Sequence, residues 1–285
     1  MGIRLEGVGF TYLPGTPMAR EALEGIDLTL REGERVCLMG ASGSGKTTLL
    51  CLVAGIYSPA RGRVLLDGSR VDHSPSGLRR LREAVGILFQ SPRRQLFAET
   101  VEKDVAFGPR NRGLRGPRLA ARAREAMKAA GLDPEEYSSR SPFALSDGEM
   151  RLAALAGVLA MGPRYLLLDE PTAGLDPLGR LRLRRLIREL SERGAGVLVA
   201  THDWEEAEEL ADRVEVMAEG RIVCSGDVES VAADSAALRR AGLAPPPVPQ
   251  LLALLRGKGL GVPERAASPG EAAEFIKRAM EGEPP

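Results

Sequence analysis

No stretch of this 285-residue chain is apolar for long enough to cross a bilayer. The longest runs, such as residues 165–168 and 196–200, fall far short of the ~20 helical residues a span requires. No basic segment followed by an apolar stretch opens the sequence, so export is not expected. Net charge is lacking too. The 39 Lys and Arg balance the 39 Asp and Glu, which leaves no global basic field for nucleic acid. Cysteine is scarce: Cys37, Cys51 and Cys224 are widely spaced, odd in number and set in apolar patterns. They read as small core residues of a reducing compartment. Internal repeats and long low-complexity tracts are absent as well. What is there, 44% hydrophobic and 27% charged residues, is an ordinary balance for a soluble, cytosolic globular protein. The length suits one large domain with a smaller appendage.

Residues 3–12 and 22–30 alternate apolar and polar positions, as half-buried antiparallel strands do, and Leu13-Pro-Gly-Thr-Pro17 supplies a turn between them. Short, mostly apolar runs follow at 35–39, 64–66, 85–89, 165–168 and 197–200, with helical segments between several of them. Such alternation predicts a mostly parallel sheet covered on both faces. From 99 to 160 the pattern is helical only, interrupted by Pro109, Pro117, Pro134 and Pro142, which predicts a helical subdomain inserted at about 91–162. The larger domain ends near 226. Residues 227–285 are Ala- and Arg-rich, broken by Pro245-Pro-Pro-Val-Pro249 ahead of two short amphipathic helices. Leu251, Leu252, Leu254 and Leu255 there suggest a packing face, for docking or dimerisation.

Gly40-Ala-Ser42-Gly43-Ser44-Gly45-Lys46-Thr47-Thr48 follows a strand and opens a helix over 46–54. It fits G-x-x-x-x-G-K-[ST], whose glycines curl the backbone so that successive N–H groups face phosphate oxygens, reinforced by the helix dipole. Lys46 can reach the β- and γ-phosphates, and the Thr47 hydroxyl suits Mg²⁺, which keeps several waters and takes few protein ligands. The strand ending Tyr165-Leu-Leu-Leu-Asp-Glu170 delivers two acids at its carboxyl end, where ligands of such sheets bind. Asp169 is suited to Mg²⁺, and Glu170 to polarising an attacking water. His202 follows the next strand. Its neutral imidazole is expected to donate to a γ-phosphate while its other nitrogen contacts a neighbouring donor. Gln90, just past the strand at 85–89, is a candidate contact to Mg²⁺ or the water. His73, in a polar loop, reads as merely structural or exposed.

Taken with Leu145-Ser146-Asp-Gly148-Glu149 and Leu167-Leu-Asp-Glu-Pro-Thr-Ala-Gly-Leu-Asp176, these residues resemble the ABC ATPase family over nearly the first 230 positions, in order and in spacing. The resemblance implies an α/β fold: a RecA-like phosphate-loop core, an antiparallel β subdomain, an inserted helical subdomain and a small C-terminal element. It also implies ATP and Mg²⁺ as cofactors, Tyr12 stacked on adenine, and Asp176 in a loop touching a partner cassette. Ser146 and Gly148 would lie in a signature that closes over the partner's ATP, so two ATPs are sandwiched in a head-to-tail dimer. The coiled coils, zinc motifs or tandem cassettes usual in non-transport ABC proteins are absent. The joint presence of Lys46, Asp169, Glu170 and His202 disfavours a regulator without turnover.

A narrower resemblance lies in Phe89-Gln-Ser-Pro-Arg-Arg-Gln-Leu-Phe97, in Thr100-Val-Glu-Lys-Asp-Val-Ala-Phe-Gly-Pro109, in Ala156-Gly-Val-Leu-Ala-Met161 and in the Pro-rich C-terminal element. These are similar to the ATPases of energy-coupling factor transporters, although other importers share part of the stretch after Gln90. The implied partners are a second ATPase subunit, identical or different, a membrane coupling subunit and a substrate-binding membrane protein. The implied place is the cytoplasmic face of the membrane, and the implied cargo a vitamin or a cobalt or nickel ion. The signature departs from the usual Leu-Ser-Gly-Gly-Gln at Asp147 and Glu149. At ~5 Å and an effective dielectric of ~20, each carboxylate facing a γ-phosphate costs ~3 kcal/mol before screening, against ~1 kcal/mol for a lost hydrogen bond. Either both acids oppose the partner's phosphate, or both point to solvent and Asp147 simply favours the helix start.

Overall fold

The computed structural model describes residues 1–72, 74–263, 266 and 269–281, so the loop residue His73 lies outside the described residues. The chain begins with β1 (Gly2–Tyr12), β2 (Arg20–Arg31), β3 (Arg35–Met39), α1 (Lys46–Val53), β4 (Arg61–Leu66), β5 (Ser69–Arg70), α2 (Pro75–Ala84) and β6 (Val85–Leu88). Five helices follow: α3 (Val101–Val105), α4 (Phe107–Asn111), α5 (Gly116–Ala130), α6 (Pro134–Tyr137) and α7 (Asp147–Ala160). Then come β7 (Tyr165–Asp169), α8 (Pro177–Glu192), β8 (Gly196–Thr201), α9 (Trp204–Leu210), β9 (Arg213–Ala218) and β10 (Arg221–Gly226). Four helices close the chain: α10 (Val228–Ala233), α11 (Ser235–Arg240), α12 (Pro247–Gly257) and α13 (Pro269–Glu281).

Two sheets form, a four-stranded one in the order β2-β1-β4-β5 and a six-stranded one in the order β10-β9-β3-β8-β7-β6. In the larger sheet β9, β3, β8, β7 and β6 run parallel, and β10 pairs antiparallel with β9. The apolar run at 64–66 does not join this parallel sheet. It pairs antiparallel with β1, Ile3 opposite Leu66, because β1 offers a free edge on the side away from β2.

β3, β7 and β8 are apolar almost throughout, as strands covered on both faces must be. Their alternate residues serve two cores. Cys37, Met39, Leu166, Leu168, Val197 and Val199 face one cluster, with Ala153, Ala156, Ile187 and Leu210 from the helices. Val36, Leu38, Tyr165, Leu167, Leu198 and Ala200 face the other, shared with Leu49 and Leu52 of α1 and with Ile3, Leu5, Leu23 and Ile26 of the antiparallel sheet. Cys37 and Cys51 are buried as expected, whereas Cys224 sits on the edge strand β10 and is half-exposed.

The helices start where side-chain caps place them. Ser146, Asp176 and Asp203 each accept a hydrogen bond from a backbone N–H in the first turn of α7, α8 and α9, which satisfies donors that helix ends otherwise orphan. The Pro-rich stretch does not simply break the chain: Pro247 stands in the first turn of α12, where a missing N–H costs nothing. Of the four leucines expected to form one face of this helix, Leu252 is buried while Leu251 and Leu254 remain exposed.

Candidate functional site

The phosphate loop leaves the carboxyl end of the central strand β3. Gly40 is required there by close approach, since a Cβ on it would lie 2.5 Å from the Met217 carbonyl oxygen and 2.6 Å from Ser44 Oγ. Gly45, with φ of 109°, turns the chain into α1 in a region that L side chains rarely adopt. The loop is also held from outside. Gly220, in the β9–β10 turn, donates its N–H to the Ser44 carbonyl at 2.9 Å, and the Ala41 N–H donates to the Ala241 carbonyl at 3.2 Å.

Ser42, Gly43, Ser44, Gly45, Lys46, Thr47 and Thr48 line one cavity of about 1060 Å³, together with Tyr12, Gln90, Asp169, Glu170 and His202. Gly40 lies behind that wall, supporting the loop. Within the loop, Lys46 Nζ donates to the carbonyls of Gly40 at 2.5 Å and Ala41 at 3.1 Å. Thr47 Oγ1 donates to Asp169 Oδ2 at 2.7 Å. Burial pushes the Lys46 ammonium below its usual pKa, against the pull of Glu170 and Asp169. Burial likewise raises the Asp169 carboxyl, opposed by the Thr47 bond. Both charges are therefore under-compensated, and Ser44 Oγ is buried without a hydrogen-bond partner.

A polyphosphate with a divalent cation fits this deficit, supplying anionic oxygens to Lys46 and positive charge to Asp169. Among the described residues no cluster of three or more His, Cys, Asp or Glu could hold a metal. The donor set of Thr47, Asp169 and Gln90 suits a hard ion that keeps waters and takes phosphate oxygens as ligands.

Glu170 adopts φ of 48°, a left-handed conformation costly for a residue with a side chain. Its N–H donates to the Ala200 carbonyl at 2.9 Å, and its Oε1 lies 2.8 Å from His202 Nδ1. This corrects the expected arrangement of His202, whose second nitrogen was to contact a donor. Against a carboxylate, Nδ1 is itself the donor, so Nε2 of a neutral ring carries a lone pair. Only the imidazolium donates from both nitrogens. Gln90 lies two residues beyond β6, exposed at the cavity wall. Tyr12 anchors its hydroxyl on Thr48 Oγ1 at 2.9 Å, and its ring packs edge-on against Phe10 and Tyr57.

Ser146 and Gly148 are not brought to this cavity. With Asp176 they line a second one, of about 620 Å³, between α7, α8 and the end of α5. The two unexpected acids behave differently from one another. Asp147 is exposed and pairs with Arg93 at 3.6 Å. Glu149 folds back: its Oε2 accepts from the Ser146 N–H at 2.8 Å and from the Ser146 hydroxyl at 2.7 Å, and its Oε1 accepts from the Tyr137 hydroxyl at 2.8 Å. These bonds, those to Ser146 above all, hold the Glu149 carboxyl below its ordinary pKa. A serine hydroxyl has a single proton to donate, and here it is committed within the chain.

One residue has no signal in the motifs. Arg151, buried one turn into α7, donates from Nη1 to the Glu170 carbonyl and from Nη2 to the Gln90 carbonyl, both at 2.8 Å. It ties the helix bearing Ser146 to the two segments that present Glu170 and Gln90. Its position five residues after Ser146 was the only available clue.

The ABC transporter family profile matches residues 23–173. The energy-coupling factor transporter ATP-binding protein EcfA2 of Clostridium perfringens is 41% identical over 277 residues, 97% of each chain. The protein of the same description from Symbiobacterium thermophilum is 42% identical over 282 residues, 99% of this chain and 98% of the relative. Among solved structures, cbiO1 from Clostridium perfringens, described as part of the ABC transporter complex cbiONQ, superposes with a TM-score of 0.72. It is 36% identical, covering 89% of this chain and 98% of the other. An ATP-binding cassette solved as a dimer in a post-hydrolysis state, bound to ADP and Pi, superposes with a TM-score of 0.73. It is 30% identical, covering 79% of this chain and 98% of the other.

Proposed function

The chain belongs to the ABC transporter family, among the energy-coupling factor transporter ATP-binding proteins, and from that premise we propose that it hydrolyses ATP to drive uptake of a vitamin or a transition-metal ion through membrane subunits. The observation that carries this reading is one cavity holding the phosphate loop, Asp169 bonded to Thr47, and Glu170 bonded to His202. Loop N–H groups and Lys46 bind the β- and γ-phosphates. Thr47 and Asp169, with Gln90 at the wall, would hold Mg²⁺, which would supply positive charge to those oxygens. Glu170 takes the proton of the attacking water. His202 orients that carboxylate through Nδ1 and turns its Nε2 edge toward the γ-phosphate. Tyr12 offers its ring to adenine.

Residues 1–226 form the nucleotide-binding cassette, with the helical subdomain at about 91–162 inserted in it, and 227–285 a docking or dimerisation element. No helix among the described residues is long and apolar enough to cross a membrane, which suits a peripheral subunit on the cytoplasmic face. The exposed, edge-to-face pair Phe97 and Phe107 offers apolar area for a membrane subunit. The test is co-purification with membrane proteins followed by phosphate release from the assembled complex. Isolation without any membrane subunit would count against an importer role, and ATP binding without turnover against hydrolysis.

Ser146 and Gly148 stand apart from the chain's own phosphate loop, in keeping with service to a partner's ATP. Because Glu149 holds the Ser146 proton, this cassette pairs with a different one, giving a complete phosphate-binding half to one ATP site and a weakened signature to the other. Replacing Asp147→Gly together with Glu149→Gln removes both carboxylate charges and leaves the Ser146 hydroxyl facing only a neutral amide oxygen, a weaker acceptor that a phosphate can outcompete. A charge-assisted bond to phosphate contributes about 1.5–3 kcal/mol, so phosphate release by the complex rises roughly tenfold. An unchanged rate sinks the unequal pair.

A further inference from the structure

The wall of the main cavity contains a segment far from every motif. α11 ends at its mouth, and residues 240–244 line it beside the phosphate loop. Two hydrogen bonds fix their course. Ala241 O accepts from the Ala41 N–H at 3.2 Å, and Ala244 O accepts from Trp204 Nε1 at 2.9 Å. A Cβ on Gly242 would stand 3.2 Å from the Ala41 Cβ, so the segment runs close against the loop. The segment therefore spans from the first turn of the loop to the helix just after His202. Lys46 bonds the carbonyls of Gly40 and Ala41 there, so on the ATP-hydrolysing reading, in which Lys46 binds the γ-phosphate, the segment stands at the γ end of the cavity.

The charge inventory of the lining points the same way. Four carboxylates (Glu21, Asp169, Glu170 and Glu219) share the lining with three basic side chains, Arg20, Lys46 and Arg240. Arg20 stands opposite Tyr12 in the β1–β2 ladder, at the tyrosine end. The Arg240 guanidinium is exposed and makes no hydrogen bond or ion pair among the described residues. An arginine at a helix C-terminus is ordinary, but this helix ends on a cavity built for polyphosphate, beside the loop. We propose that Arg240, carried by the C-terminal segment, contacts the γ-phosphate and makes this site prefer ATP to ADP. The proposal rests on the ATP-hydrolysing reading of the same cavity.

The experiment titrates the full chain, and its Arg240→Ala and Arg240→Lys variants, with Mg·ADP and with Mg-bound β,γ-imido-ATP. Trp204 is the single tryptophan of the sequence and is bonded to this segment, so its fluorescence reports binding, with calorimetry as a second readout. Arg240→Ala weakens the imido analogue about tenfold and ADP less than about twofold, while Arg240→Lys keeps most of the preference. The melting temperature without nucleotide stays at the wild-type value. Equal weakening of both ligands, or of neither, overturns the proposal, as does a lowered melting temperature that accounts for the loss. A wild-type chain that binds neither nucleotide refutes the ATP reading itself, whatever Arg240 does.

Discussion

Glu170→Gln lowers steady-state phosphate release by roughly 10²–10⁴-fold, the range a general base contributes, while leaving ATP affinity close to wild type. The amide keeps the shape of the side chain and can still meet His202 Nδ1 at the 2.8 Å seen here. What it loses is basicity. The backbone cost of φ near 48° is unchanged, so the variant folds with the site assembled and stalls before the water is attacked. With the partner cassette present and ATP and Mg²⁺ saturating, the two-cassette species accumulates, and light scattering shows the shift in mass. Free single cassettes under those conditions contradict the sandwiched arrangement. A rate within a few-fold of wild type removes Glu170 from the role of base.

Arg151→Met has the second largest expected effect, and it acts on fold and rate together. Methionine fills the channel along the stem of the arginine but donates nothing to the carbonyls of Glu170 and Gln90. Two bonds from a buried guanidinium, at about 1.5–3 kcal/mol each, amount to about 3–6 kcal/mol, a fall in melting temperature on the order of 10 °C for a chain of this size. Once Glu170 loses this tether, its left-handed conformation relaxes and the carboxylate drifts. The turnover rate falls at least about tenfold, with nucleotide affinity within about threefold of wild type. Arg151→Lys does not restore the rate, because one ammonium cannot span two carbonyls as a planar fork does. Scanning calorimetry beside single-turnover kinetics separates the two effects. A variant that is destabilised but turns over normally shows that Arg151 only holds the fold.

These two residues mark how far the sequence could be read. Glu170 was visible because an apolar run, two acids and a following Pro set it at a strand end, and strand ends in such sheets face ligands. The loop at 40–48 and His202 were visible by the same logic. Which acid lies against Thr47, and which against His202, depends on the register of β7 against β8, and periodicity does not encode register. His202 does stand just past β8, but its neighbour is a carboxylate rather than a donor, because a residue's position at a strand end does not say what its second nitrogen meets. Glu149 illustrates the limit of charge counting. The carboxylate expected to face a phosphate or solvent instead closes a capping box on Ser146 and takes a third bond from Tyr137. Arg151, Gly220 and residues 240–244 were silent because each acts through backbone groups distant in sequence, and carbonyls leave no compositional trace. The β9–β10 hairpin was missed in the same way, its alternation too short to stand out from its surroundings.

The strand that carries the phosphate loop obtains both of its neighbours late. Arg35 pairs with Val197 on one side and Val36 with Arg213 on the other, so β3 has no ladder until β8 and β9 have been synthesised. At about 5–20 residues per second, roughly 10–35 s pass between completion of the loop and completion of its supports. Throughout that interval Val36 and Leu38 lack their sheet, and no nucleotide can act as a stabilising ligand for the nascent chain. Closing pairings this distant carries a larger loop entropy than forming any local helix, so slow refolding of the phosphate-loop strand is expected.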